Sequence, residues 1–212
     1  MRLQRTVLAG LYPSERAQIV RRNPVPDAVV REQAAAIVAD VRDRGDAALQ
    51  AANHRFGGGR PLQPRAEAPE LAAALAGLDP ALRAAIEDAA GRIRRFHEAQ
   101  RPQDQEIETA PGVTVARRWS PLRRVGVYVP GGKAAYPSSV LMTVIPARVA
   151  GVESIAVVSP AGPDGTVQPV LLATAALLRV ETIEIAGGAQ AIAALAYGTG
   201  SIEPVDKIVG PG

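Results

Sequence analysis

Hydrophobic positions change their spacing once along the chain, and that change divides it. Up to about residue 100 they recur at helical intervals. Residues 13–22 fit a short helix ended by Pro24 and Pro26, with Asp27 placed to cap the next one. Val30, Ala34, Ile37, Val38 and Val41 keep a single stripe as far as Gly45. Asp46 can cap a further helix over residues 47–55, stopped by Gly57-Gly58-Gly59-Arg60-Pro61. Residues 67–77 are alanine-rich and helical in pattern. Asp79-Pro80 pairs a capping side chain with proline at the first helical position, opening a helix to about Gln100 whose Leu82, Ile86, Ala89, Ala90, Ile93 and Phe96 share one face. Helices with one apolar stripe each must pack on something else.

Beyond this segment alternation takes over. Residues 106–109, 113–119 and 125–129 read as strands, the first two joined by a Pro111-Gly112 turn. The order is then regular, with helix 139–150, strand 154–159, helix 167–178, strand 182–186, helix 189–197 and strand 207–209. The pattern predicts an α/β fold: a helical N-terminal segment, residues 1–105, packing on βα units over residues 106–212 that form a mostly parallel sheet.

The stretch from Arg124 to Gly151 is the centre of that arrangement. Val125, Val127 and Val129 run into Pro130-Gly131-Gly132, and the following helix has Ser138 and Ser139 as candidate caps. A buried strand delivers the chain to the carboxyl edge of the sheet, glycines allow the turn, and the next helix aims unpaired N–H groups at the same crevice. Polar or anionic ligands settle in such places, although an ordinary βα connection has the same pattern. Two nucleotide motifs are excluded. Counting from Gly126, Gly132 stands where a P-loop needs lysine, and Gly198-Thr199-Gly200 runs on to Glu203 where a dinucleotide fingerprint needs glycine.

Composition narrows the function classes. A hydrophobic content of 47% is enough to fill a core. The net charge of +3 comes from arginines scattered among acids, and with 3% aromatic residues there are few rings for base stacking, so no nucleic-acid partner is expected. The absence of cysteine excludes disulfides, thiolate metal sites and a cysteine nucleophile. With no apolar run near ~18 residues and no signal-like N-terminus, the expectation is a soluble cytoplasmic protein without a membrane partner. His54, between Asn53 and Arg55, and His97, close to Arg94 and Arg95, have the setting of exposed or capping histidines. Neither is assigned to metal or catalysis, and the chain is expected to hold no catalytic and no metal-binding residue of its own.

Four stretches together resemble one family. V-G-V-Y-V-P-G-G-K-A-A-Y-P-S-S-V-L-M at 125–142, P-A-R-V-A-G-V at 146–152, G-G-A-Q-A-I-A-A-L-A-Y-G-T at 187–199 and V-D-K-I-V-G-P-G at 205–212 are similar to histidinol dehydrogenase, with R-D-R-G-D-A-A-L at 42–49 and F-H-E-A-Q at 96–100 as weaker matches. The resemblance implies an aldehyde-dehydrogenase-like fold and a zinc- and NAD-dependent homodimer that oxidises L-histidinol through the aldehyde to L-histidine in histidine biosynthesis. It also implies that Tyr128 and Gln190 contact NAD. Read without it, Tyr128 fits a core tyrosine and Gln190 a helix-start residue bonding its own turn. The family's zinc ligands and proton-transfer pair fall after Gly-Pro-Gly, so this chain is expected to be the N-terminal half, inactive alone. A related dehydrogenase of another small amino or sulfo alcohol, or a non-catalytic nucleotide-binding module, would share these front-half motifs.

Overall fold

The structure, a computed structural model, describes residues 7–20, 28–56, 64–131 and 134–211. The expected cap at Asp27, the helix stop at Gly57 to Pro61, and Gly132 of the central turn lie outside them. Residues 1–35 and 36–212 are two compact units. The first holds a 3₁₀ turn, Leu8–Gly10, helix α1 (Pro13–Val20) and the beginning of α2 (Ala28–Arg44).

In the second unit α2 is followed by α3 (Asp46–Phe56), strand β1 (Arg65–Ala66), α4 (Ala68–Ala76) and α5 (Pro80–Ala99). Asp79 caps α5 as its sequence predicts, its carboxylate accepting from the Leu82 N–H at 2.9 Å. The predicted apolar face of α5 is buried only in its middle. Ile86 is buried and Ala89, Ala90 and Ile93 pack against the core, but Leu82 and Phe96 toward the two ends are exposed, because the helix that α5 packs against, Pro137–Val149, is shorter than α5 itself. The hairpin of β2 (Gln105–Ala110) and β3 (Val113–Arg117) forms on the Pro111-Gly112 turn, with Gly112 at φ +77°. It is a separate two-stranded sheet exposed along both strands.

The remaining elements alternate: β4 (Arg124–Tyr128), α6 (Pro137–Val149), β5 (Ser154–Ser159), α7 (Pro169–Leu177), β6 (Ile183–Ile185), α8 (Gly188–Tyr197) and β7 (Lys207–Val209). Ser138 and Ser139 do not cap α6. Pro137 already occupies the first helical position, so Tyr136 is the cap residue and the serines fall inside the first turn. Both α6 and α7 end in the same closed turn, in which Val152 N–H reaches Ala147 O and Val180 N–H reaches Ala175 O. Gly151 supplies the left-handed residue in one, while Arg179 takes it at φ +56° in the other.

The sheet order is β1-β6-β5-β4-β7, parallel except for β1, which pairs antiparallel with β6. From β4 the chain steps to β5 and β6 on one side and then crosses back to place β7 on the other. The strands are short apolar runs because both faces are covered. On one face Val125, Val127, Val157, Ile183 and Ile185 join residues of α4, α5, α6 and α7 in the larger core. On the other, Ala156 and Val158 meet Val41, Ala48, Leu49, Ala191, Ala194 and Leu195 from α2, α3 and α8.

Candidate cofactor site at the switch point

Strand order reverses between β4 and β7, and the crevice outside the carboxyl ends at such a switch point is the place where open α/β sheets take ligands. Successive side chains of β4 point to opposite faces, so Tyr128 lies on the α8 side together with Gly126. Gly126 stands where a β-carbon would come within 3.0 Å of both Leu195 δ-carbons and of Val205 Cγ2. The missing side chain therefore lets α8 lie close to the strand, and that closeness brings the start of α8 to Tyr128. The Gly188 N–H donates to the Tyr128 hydroxyl at 3.2 Å, joining two sequence motifs sixty positions apart.

Gly188 holds φ +62°, a left-handed conformation that glycine takes without steric cost. On the other side of the crevice Gly210, at φ +147°, passes so close to the Tyr128 carbonyl oxygen that no side chain fits there. The glycines of three motifs thus have separate physical reasons: close packing of α8 on β4, a left-handed turn, and the near approach of two backbones.

Gln190, two residues after Gly188 in the first turn of α8, is 2% exposed. Its bond is not to its own turn, the reading that the sequence alone suggests. Its Nε2 donates to Asn53 Oδ1 of α3 at 3.1 Å, and Asn53 Nδ2 donates to the Ile185 carbonyl at 3.1 Å. Asn53 is itself 3% exposed and was missed by the sequence reading. A signal was available: Asn53 follows Leu49 by four positions and so lies on the buried stripe of its helix, where an apolar residue would be usual.

The weaker motif at 42–49 is explained nearby. Asp46 begins α3, but instead of capping it accepts from Ser201 Oγ at 2.7 Å and stands against Gly200, where a β-carbon would be 2.7 Å from its Oδ2. Arg65 adds a second tie to the same loop through the Ser201 carbonyl at 2.7 Å. Its Nη2 also lies 3.2 Å from Oε1 of Glu184, a half-enclosed pair on β1 and β6. Burial pushes the Glu184 carboxyl above the usual glutamate range, and the Arg65 guanidinium offsets only part of this. Among the described residues Glu184 Oε2 is buried without a hydrogen-bond partner, as is Arg124 Nε.

A groove of ≈ 860 Å³ lies elsewhere, between the end of α5, α6 and the edge strand β7, with Trp119, Leu122, Met142 and Val209 among its lining. It contains neither Tyr128 nor Gln190. His54 and His97 are not brought together with other ligands, and among the described residues no group of three or more His, Cys, Asp or Glu could hold a metal ion. No helix among them is long and apolar enough to cross a membrane.

The sequence pattern of the histidinol dehydrogenase family matches residues 20–212. The chain is 52% identical to the histidinol dehydrogenase of Parasynechococcus marenigrum over 83% of its own length and 40% of that protein, and 46% identical to that of Thermobifida fusca over 99% and 48% respectively. The crystal structure of histidinol dehydrogenase from Elizabethkingia anophelis superposes with a TM-score of 0.86 at 35% identity, covering 95% of this chain and 47% of that one. The chain therefore spans about half the length of the relatives it matches. With 193 successive positions matching one family and the same backbone in a solved member, this chain belongs to the histidinol dehydrogenase family.

Proposed function

We propose that this chain supplies the dinucleotide-holding part of an NAD-dependent histidinol dehydrogenase, a cytoplasmic homodimer that oxidises L-histidinol to L-histidine in histidine biosynthesis. The observation that carries the proposal is the meeting of Tyr128 with the Gly187-Gly188 turn outside the strand ends. The surroundings fit a dinucleotide: a switch-point crevice, a glycine backbone that leaves room for close approach, and the start of α8 directed at it. NAD held there would supply the hydride acceptor for the oxidation. Tyr128 already accepts from Gly188, so its own hydroxyl proton is available to an acceptor on the cofactor. In this reading residues 106–212 carry the cofactor contacts and residues 1–105 form the preceding helical segment. Zinc does not fit the described residues, which offer no ligand set, and no step through a metal is assigned to them.

Calorimetric titration of the purified chain with NAD tests the reading. Saturable binding is expected, weakened about 2- to 10-fold by Tyr128→Phe and by Gln190→Ala, the worth of roughly one hydrogen bond each. Binding that neither substitution changes would put the cofactor elsewhere and overturn the assignment. NADH formation from histidinol by this chain alone, with zinc supplied, would overturn the division of labour.

A further inference from the structure

The buried pair Asn53–Gln190 has a direction, and the direction has a chemical consequence. A backbone carbonyl can only accept, so the atom of Asn53 facing Ile185 O at 3.1 Å is its nitrogen. Its oxygen must then face Gln190, and the atom that Gln190 turns toward it must be Nε2, at 3.1 Å. Oε1 is left on the opposite side, next to Gly188, where a β-carbon would stand 2.9 Å from it. One fixed carbonyl at the end of β6 thus sets the orientation of two amides in series. Both side chains are nearly inaccessible, at 3% and 2%, so neither can flip without leaving a polar group unpaired in the core.

From this relay we infer that Asn53 is a positioning residue for the cofactor: it fixes Gln190 as a hydrogen-bond acceptor at the Gly187-Gly188 turn, suited to a donor such as a ribose hydroxyl or the nicotinamide carboxamide N–H, and unsuited to a phosphate oxygen. The inference rests on the proposal that NAD binds at this turn. Asn53 is enclosed, its amide spent on the Ile185 carbonyl and on Gln190, so it acts through Gln190. Its position on α3 also makes the first helices of the second unit part of cofactor recognition, although the strand-turn-helix pattern that suggests the site lies far downstream.

A double-mutant cycle on NAD binding, measured by calorimetry with wild type, Asn53→Ala, Gln190→Ala and the pair, tests this. Asn53→Ala is expected to weaken binding about 3- to 10-fold on its own and to have no further effect once Gln190 is alanine. An equal loss in both backgrounds, or no loss where Gln190→Ala does cause one, would overturn the inference and leave the proposed function standing. If Gln190→Ala changes nothing, the proposed function itself fails at this residue and the inference falls with it. Asn53→Ser, which retains a hydroxyl but cannot span the gap, serves in the same cycle should the alanine variant not fold. A ligand-free readout is the pair of Gln190 side-chain amide proton resonances. They are expected to be dispersed and slow to exchange in the wild type, and to collapse toward solvent-exposed values in either Asn53 variant; unchanged resonances would overturn the relay.

Discussion

Gly126→Ala tests whether the separation between α8 and the sheet is set by a missing side chain. Two effects oppose each other. Alanine removes part of the backbone entropy that glycine loses in a strand interior, a gain of roughly 0.5–1 kcal/mol. Against this, the new β-carbon would meet Leu195 Cδ1, Leu195 Cδ2 and Val205 Cγ2, all at 3.0 Å. Leu195 is fully buried among Val41, Leu49 and the alanines of α8, so it has little room to retreat. Overpacking of this kind costs about 1–3 kcal/mol, and the net expectation is a destabilisation of about 1 kcal/mol. For a chain of this size that lowers the thermal midpoint by roughly 2–4 °C. Urea unfolding of the wild type, Gly126→Ala, Leu195→Ala and the double variant measures it. The double variant should be more stable than the sum of the single losses, by about the 1 kcal/mol of relieved crowding. An alanine variant more stable than wild type, or strictly additive losses, would refute the packing argument.

Glu184→Gln should be neutral or stabilising near neutral pH, because it removes a buried charge that Arg65 only partly offsets. The sign follows from a carboxyl that binds its proton more tightly folded than unfolded: stability at this site falls as pH rises from the ordinary glutamate range through the raised value, so the advantage of the glutamine variant should shrink on acidification across that window. An advantage that grows toward acid pH in paired melts would contradict the burial. Asp79→Ala should cost about 1 kcal/mol through loss of the cap bond to Leu82 N, and Asp79→Asn should recover most of it; equal melting points for all three would remove the cap from the account.

Much of this fold can be read along the chain, and the elements that can be read are those specified by their own residues. Strands Ser154–Ser159 and Lys207–Val209 have the bounds their hydrophobicity predicts, and Asp79-Pro80 caps α5 through a local bond. The elements that escape are set by distant partners. Strand β1 has only two residues in a segment that otherwise reads as helical, and it exists because Glu184 and Ile183 offer it an edge. Leu82 and Phe96 obey the helical period but reach past the shorter helix α6 on which α5 packs. At the site, glycine motifs and Tyr128 mark the crevice, whereas the inward turn of Gln190 depends on Asn53, 137 positions away. No periodicity contains such a contact.

The ties across the second core have a consequence for how the chain comes off the ribosome. Arg65 waits for Ser201 over 136 residues, and Asp46 waits for the same residue over 155. At roughly 5–20 residues per second, these intervals are on the order of 7–30 s. For most of that time α2 and α3 are already made while α8, which covers their apolar stripe, is not. The N-terminal helices are therefore a natural client for a chaperone during synthesis, and their docking is governed by the arrival of β6 and α8 rather than by their own helical stability.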